Sequence, residues 1–198
     1  MSAARYTLAA PATLSQEIRK SRFVAHARAI DSPDAALAFV AEVADASATH
    51  NCWAYRIGQA YRFNDDGEPA GTAGKPMLQA IDGQQLDRTV VVVTRWFGGI
   101  KLGAGGLMRA YGGCAAECLR TAAKTAIIAM TTAEFLLPFA LLPLLHARLA
   151  ELQATKLDER YAGDGAVLRI ALPSDRVASL RALLADATRG RAEVVVLD

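Results

Sequence analysis

Val90 to Cys118 reads VVVVTRWFGGIKLGAGGLMRAYGGCAAEC. The β-branched run Val90 to Val93 predicts a strand that ends at Arg95. Gly98, Gly99, Gly103, Gly105 and Gly106 then crowd one loop, and a helical pattern starts near Leu107. Strand, glycine loop, helix is an order with chemical content. Glycines let the backbone approach a ligand closely, and the first amides of a helix lack internal acceptors and favour an anion. Arg95, Lys101 and Arg109 place three cations around the same turn. Two readings follow: an anion site, or a tight turn that only lets helix and sheet pack closely. Neither standard phosphate fingerprint is present. Gly74-Lys75 is followed by Pro76 and has Pro69 where a P-loop needs its first glycine, and a G-x-G-x-x-G pattern begun at Gly103 and Gly105 meets Met108 at its third glycine.

A second unusual loop lies upstream. HNCWAYRIG, residues 50 to 58, alternates as a strand does, and Asn64 to Pro76 then combines Asp65, Asp66 and Glu68 with Gly67, Gly71, Gly74, Pro69 and Pro76. A loop of that length inside a compact domain is uncommon unless it binds something or moves. Lys75 to Ile81 then reads as a short helix with Pro76 in its first turn. Three acids on one loop and three bases on the other predict that the two face one another across a cleft. Asp65, Asp66 and Glu68 are the candidate ligands for a Mg²⁺ with phosphate oxygens completing its shell. The favoured alternative is an acidic turn whose carboxylates bond backbone amides and pair with Arg95 or Arg109. No metal and no cofactor is expected.

The remainder of the first 122 residues is ordinary. Tyr6 to Leu8 and KSRFVAHARAI read as extended, with Phe23, Ala25, Ala27 and Ala29 on one face. DAALAFVAEVADAS follows Ser32-Pro33 and reads as a helix capped by Ser32 or Asp31, with Leu37, Val40 and Val43 on its apolar side. Cys52, Cys114 and Cys118 are an odd set without C-x-x-C spacing, and together with His50 they form neither a usual zinc hook nor an activated nucleophile. They read as small buried residues. With no signal peptide at Met1, these cysteines predict a reducing cytoplasm.

Composition sets bounds on partners. With 53% hydrophobic and 21% charged residues the chain is a folded protein rather than a disordered one. Through Ala122 it carries 13 basic and 11 acidic residues, and beyond it 9 and 9, so any nucleic-acid contact must come from local clustering rather than bulk charge. The longest apolar stretch, Phe135 to Leu145, holds 11 residues including Pro138 and Pro143. That is well short of the ~20 that span a bilayer, so no membrane partner is expected.

Beyond residue 122 the pattern becomes strand (127 to 138), helix (142 to 152), strand (155 to 161), a Gly163-Asp164-Gly165 turn, strand (166 to 172), helix (175 to 187) and strand (192 to 197). Leu168, Ile170 and Leu172 mark one strand face, and Leu145, Leu149, Leu152, Val177, Leu180 and Leu184 mark the helices. This is βαββαβ, a ferredoxin-like plan. The expected organisation is α+β, with domains at 1–122 and 123–198.

KSRF (20–23), HNCWAY (50–55), NDDGEPAGTAGKP (64–76) and TRWFGGIKLGAGGLMRAY (94–111) together resemble the IMPACT/YigZ family, specifically over about 120 residues. The tail resembles the small C-terminal domain of its bacterial members. The resemblance implies an N-terminal α+β domain similar to the second domain of a small-subunit ribosomal protein and of GHMP kinases, then a domain similar to one in elongation factor G. Eukaryotic relatives are translational regulators that interfere with activation of an initiation-factor kinase, but they carry a further protein-binding domain not seen in these residues. Trp96-Phe97 departs from the family's usual Tyr-Tyr or Tyr-Phe, so no hydroxyl stands at 96.

The expectation is a non-catalytic cytoplasmic protein that binds RNA, the ribosome or a translation-associated protein, with a role in translational regulation. Lys75, Arg95, Lys101 and Arg109 with Gly98, Gly99, Gly103, Gly105 and Gly106 are the candidate phosphate contacts, beside the acids Asp65, Asp66 and Glu68. Arg19, Lys20, Arg22, Arg28, Arg56 and Arg62 supply further cations, and Tyr55, Tyr61, Trp96, Phe97 and Tyr111 supply rings for stacking. The same Trp96 and Phe97 fit a core role. The alternatives are a metal-dependent phosphate-processing enzyme and a protein-interaction module.

Overall fold

A computed structural model describes residues 5–197; residues 1–4 and 198, the outer ends of the two expected domains, lie outside the described residues. The chain divides into two compact units, Met1–Ile127 and Ile128–Asp198. The first contains β1 (Tyr6–Leu8), β2 (Ala12–Ile18), β3 (Ser21–Ala29), α1 (Pro33–Val43), β4 (His50–Ile57), β5 (Ala60–Asn64), α2 (Gly74–Gly83), β6 (Thr89–Trp96), α3 (Ala104–Thr121) and β7 (Lys124–Ala126). Its five-stranded sheet has the order β2-β3-β6-β4-β5, and every neighbouring pair is antiparallel. β1 and β7 form a separate two-stranded ribbon. That pairing ties Lys124–Ala126 to the first unit, which is why the division falls after Ile127 instead of after Ala122.

The four consecutive valines are explained by burial of both sheet faces. Val91 and Val93 pack with Phe23, Ala25, Ala27, Cys52 and Ala54 under α2 and α3. Val90 and Val92 pack with Trp53, Tyr55 and Phe39 under α1. A strand covered on both sides has no polar face, so the usual alternation disappears. At α1 the Ser32 hydroxyl accepts the Ala35 amide and Pro33 opens the helix, as expected. Its inner face is Ala36 and Phe39 with Val40 and Val43, while Leu37 is 39% exposed. The expected three-residue stepping through Leu37 is therefore corrected to the i, i+3, i+4, i+7 stripe.

Three strands exceed the sequence reading, β2, β5 and the short β7. β2 joins β3 through Arg19-Lys20, both in the left-handed region (φ 47° and 63°), as a two-residue hairpin requires. β5 extends the β4 strand back as a hairpin and is exposed along its whole length, with Tyr61 and Phe63 alternating along only five residues.

The second unit comprises β8 (Met130–Pro138), α4 (Leu142–Arg148), β9 (Thr155–Ala162), β10 (Gly165–Pro173), α5 (Val177–Thr188) and β11 (Val195–Leu197). The antiparallel order β11-β8-β10-β9 is a βαββαβ arrangement. Phe135, Leu137, Leu168, Ile170 and Leu172 meet Leu145, Leu180 and Leu184 in its core. α4 ends at Arg148, four residues before the predicted limit. Among the described residues no helix is long and apolar enough to cross a membrane.

Candidate functional site

Sheet pairing assembles the site at the C-terminal end of β6. The register sets Arg95 opposite Phe23 on β3 and opposite His50 on β4. Two-residue alternation puts Arg95 on the face of Val91 and Val93, beneath α3. Arg95 is consequently only 5% exposed, and its guanidinium lies 5.5 Å from the ring centres of both Phe23 and Phe97.

A buried cation needs a partner, and the acidic loop provides one. Arg95 Nη1 donates to Glu68 Oε1 at 2.5 Å, and the Tyr111 hydroxyl donates to the same oxygen at 2.8 Å. His50 Nε2 stands 3.7 Å from it. Tyr111 is held edge-on against Phe23, with centroids 5.3 Å apart. Burial pushes the Tyr111 hydroxyl pKa far up, so it stays a donor. Arg95 Nε has no partner among the described residues.

The remaining acids shape the loop. Asp65 Oδ1 accepts the amides of Ala73 and Gly74, and Oδ2 accepts that of Gly71. Asp66 Oδ2 accepts the Asn51 amide at 2.6 Å, and its carbonyl accepts His50 Nδ1 at 2.7 Å, so the imidazole carries its proton there. Both side chains are engaged with amides, as the acidic-turn reading expects. Among the described residues no group of three or more His, Cys, Asp and Glu side chains is disposed to hold a metal.

The glycine loop is fixed from the other side. A Cβ at Gly98 would sit 1.8 Å from the Lys20 carbonyl oxygen, so only glycine permits the loop to rest on the β2–β3 turn. The buried Ser21 hydroxyl accepts the Gly98 amide at 3.1 Å, and Thr49 Oγ1 accepts that of Phe97 at 3.0 Å. Gly103 precedes α3 at φ 72°, and no side chain caps the helix start. The first amides of α3 therefore face outward without an intrahelical acceptor.

Between the loops lies a cavity of about 330 Å³. Glu68 and Pro69 form one wall, and Phe97, Lys101, Leu102, Gly103, Ala104 and Leu107 form the other, with Arg95, His50 and Thr49 between them. The facing of the two loops across a cleft is thus observed. Of the sequence candidates the cavity gathers Glu68, Arg95, Phe97, Lys101 and Gly103. Gly98, Gly99, Gly105 and Gly106 are off its wall, as are Asp65 and Asp66. Lys75 is exposed on the first turn of α2, and Arg109 is exposed on α3 with its guanidinium over Gly105. Trp96 is half-buried on the opposite sheet face, with Arg22 4.9 Å from its ring centre.

Several expected contacts are corrected by burial. Arg95, read as a phosphate contact, spends its charge on Glu68. Tyr55 and Tyr111, read as stacking surfaces, are 6% and 0% exposed, leaving Phe97 at 47% and Tyr61 at 56% as the open rings. Arg56 pairs with Asp82. Cys52, Cys114 and Cys118 are buried thiols, with burial pushing Cys114 up to about 12 and Cys118 to about 11. Sequence reasoning missed Ser21, Thr49 and Leu107 as site residues. For Ser21 the available signal was a small hydroxyl at the foot of a strand, before an otherwise apolar face.

A buried ion pair and a glycine-cushioned helix start facing across a cleft, followed by a βαββαβ unit, define a two-unit α+β protein of one recognisable type. Residues 19–119 match the Impact N-terminal domain, and residues 136–191 match a domain of unknown function, DUF1949. The chain belongs to the IMPACT family. It is 46% identical to an IMPACT family member in the pol 5′ region of Thermus thermophilus, over 88% of this chain and 97% of that one. It is 38% identical to IMPACT family member YigZ of Escherichia coli (strain K12), over 96% of each. A crystal structure described as that of a hypothetical protein superposes with a TM-score of 0.72 and 37% identity, covering 98% of both chains.

Proposed function

We propose that this chain is a non-catalytic, cytoplasmic binding protein of the translation machinery that engages RNA or the ribosome through the first unit. The observation that carries the reading is a surface of open cations and rings around the glycine loop. Arg19, Lys20, Arg22 and Lys101 are exposed, and among the described residues no carboxylate forms an ion pair with any of them. Phe97 is exposed beside them, and the half-buried Trp96 carries Arg22 over its ring. Cations meet phosphates and open rings stack bases, which is what single-stranded or looped RNA requires. The family resemblance adds support, since its eukaryotic members regulate translation. So does the ferredoxin-like plan of the second unit, which we compare with a domain of elongation factor G, as we compare the first with a ribosomal-protein domain and GHMP kinases.

The test is RNA affinity of the full chain from about 50 to about 200 mM salt. Three phosphate contacts, by Lys20, Arg22 and Lys101, give a slope of log affinity on log salt near −2, at about −0.7 per contact. Lys20→Ala should flatten it by about one contact's share and weaken all sequences alike. No binding of RNA or ribosomes at the lowest salt would overturn the reading.

A further inference from the structure

We infer that the cavity between Glu68 and the start of α3 is a pocket for one guanine base, turned out of a single-stranded RNA. The inference deepens the RNA-binding reading and rests on it for the strand that carries the base. Two acceptors stand on the Glu68 side of the cavity. The Glu68 side chain is 4% exposed and takes both of its donors, Arg95 Nη1 and the Tyr111 hydroxyl, on Oε1. Oε2 has no hydrogen-bond partner among the described residues and is not sealed from the cavity that Glu68 lines. A carboxylate oxygen left so costs free energy, which a ligand N–H restores. His50 carries its proton on Nδ1, toward the Asp66 carbonyl, so Nε2 is the second acceptor. At 3.7 Å from Glu68 Oε1 it does not satisfy the carboxylate itself.

The facing wall holds Gly103 and Ala104 at the start of α3, where the first amides are donors without an intrahelical acceptor. The rest of the lining is mostly apolar, with Pro69, Leu102, Leu107 and the ring of Phe97, which is 47% exposed. A flat ligand with apolar faces, N–H donors on one edge and acceptors on the next fits that arrangement. Guanine sorts its groups in this way, with the N1 and N2 hydrogens along one edge and O6 and N7 along the neighbouring one. Adenine and cytosine turn a ring-nitrogen lone pair toward the Glu68 carboxylate beside their amino group, and uracil turns two carbonyl oxygens toward it. Bases unstacked from single strands are held by an aromatic ring and by hydrogen bonds to these edges, and Phe97 offers the ring. The carboxylate in the wall disfavours a phosphate inside the cavity, so the backbone stays outside with the exposed Lys20, Arg22 and Lys101. At about 330 Å³ the cavity is at the small end of ligand sites, enough for one base and too little for a strand.

The test is calorimetric titration of the full chain with oligouridylates carrying a single guanosine, inosine or adenosine, and with the three corresponding nucleoside monophosphates. Inosine lacks only the 2-amino group, so the guanosine probe should bind about tenfold or more tightly than the inosine probe, the share of one hydrogen bond to a charged acceptor. The adenosine probe should be weaker by at least as much. Ala104 is exposed and lines the cavity, so Ala104→Trp fills the space from the first turn of α3 without entering the core. It should remove the guanine preference while the unfolding midpoint and the binding of plain oligouridylate hold. A guanine preference that survives in Ala104→Trp, or none in either set of probes, would overturn the pocket. If RNA binds with no preference among the bases, the pocket falls and the RNA reading stands. If guanosine monophosphate is preferred and no RNA binds, the RNA reading falls and the pocket stands.

Discussion

Arg95→Met removes the cation from the buried pair while keeping a long apolar side chain between Phe23 and Phe97. What remains is Glu68, with a side chain 4% exposed, whose nearest donor is the Tyr111 hydroxyl. Removing one member of a buried ion pair costs about 3–5 kcal/mol, because the other charge stays desolvated. Loss of the cation–π contacts adds about 0.5–1 kcal/mol. With a urea dependence of about 2 kcal/mol per molar, the midpoint should fall by roughly 1.8 to 3 M. The double variant Glu68→Leu with Arg95→Met removes both charges and orphans only the Tyr111 hydroxyl, worth about 1–3 kcal/mol. It should therefore be more stable than Arg95→Met alone. Tryptophan fluorescence is the assay, since the two tryptophans, Trp53 and Trp96, both belong to the first unit and the second unit unfolds unseen. A midpoint shift under about 0.5 M in Arg95→Met, or a double variant worse than the single, would refute the buried-pair argument.

Gly98→Ala drives a Cβ to 1.8 Å from the Lys20 carbonyl oxygen and 2.0 Å from its carbon. The obstacle is backbone, so the cost should be at or above the upper end of the ~1–3 kcal/mol of overpacking; a loss below about 0.5 kcal/mol in the same urea titration contradicts it. Asp65→Ala releases the amides of Gly71, Ala73 and Gly74, and should cost about 2 kcal/mol or more. Hydrogen exchange at those amides should speed up, and unchanged exchange would mean the carboxylate does not hold the loop. His26, on β3, has its pKa lowered from the usual 6.5 by burial. The unfolded chain then takes up a proton that the folded chain refuses, so its stabilising contribution is complete above pH 6.5 and declines as pH falls through that value. The wild type should lose more stability than His26→Gln between about pH 7.5 and about pH 5.5, and parallel curves would exclude the effect.

Much of this fold is local and therefore legible in the chain. Four β-branched residues in a row declare a strand buried on both faces, whichever element covers them. Ser32-Pro33 declares a helix start, and Gly163-Asp164 between an extended charged run and an apolar one declares a hairpin, so the βαββαβ order of the second unit follows from periodicity and turns. β2 and β5 escaped because an edge strand with solvent on one or both sides has no apolar pattern strong enough to mark it. At the site, the sequence showed acids on one loop, bases on another and glycines between them, which is enough to place them in one cleft. It did not show which acid turns inward. That depends on the antiparallel register of β3, β4 and β6, which brings Phe23, His50 and Arg95 side by side from positions up to 72 residues apart. Desolvation beneath α3 then obliges Arg95 to take Glu68, while Asp65 and Asp66, nearer the loop's own amides, are consumed in holding its shape. Side-chain type and period are properties of a segment; the pairing of charges is a property of what the folded sheet buries together.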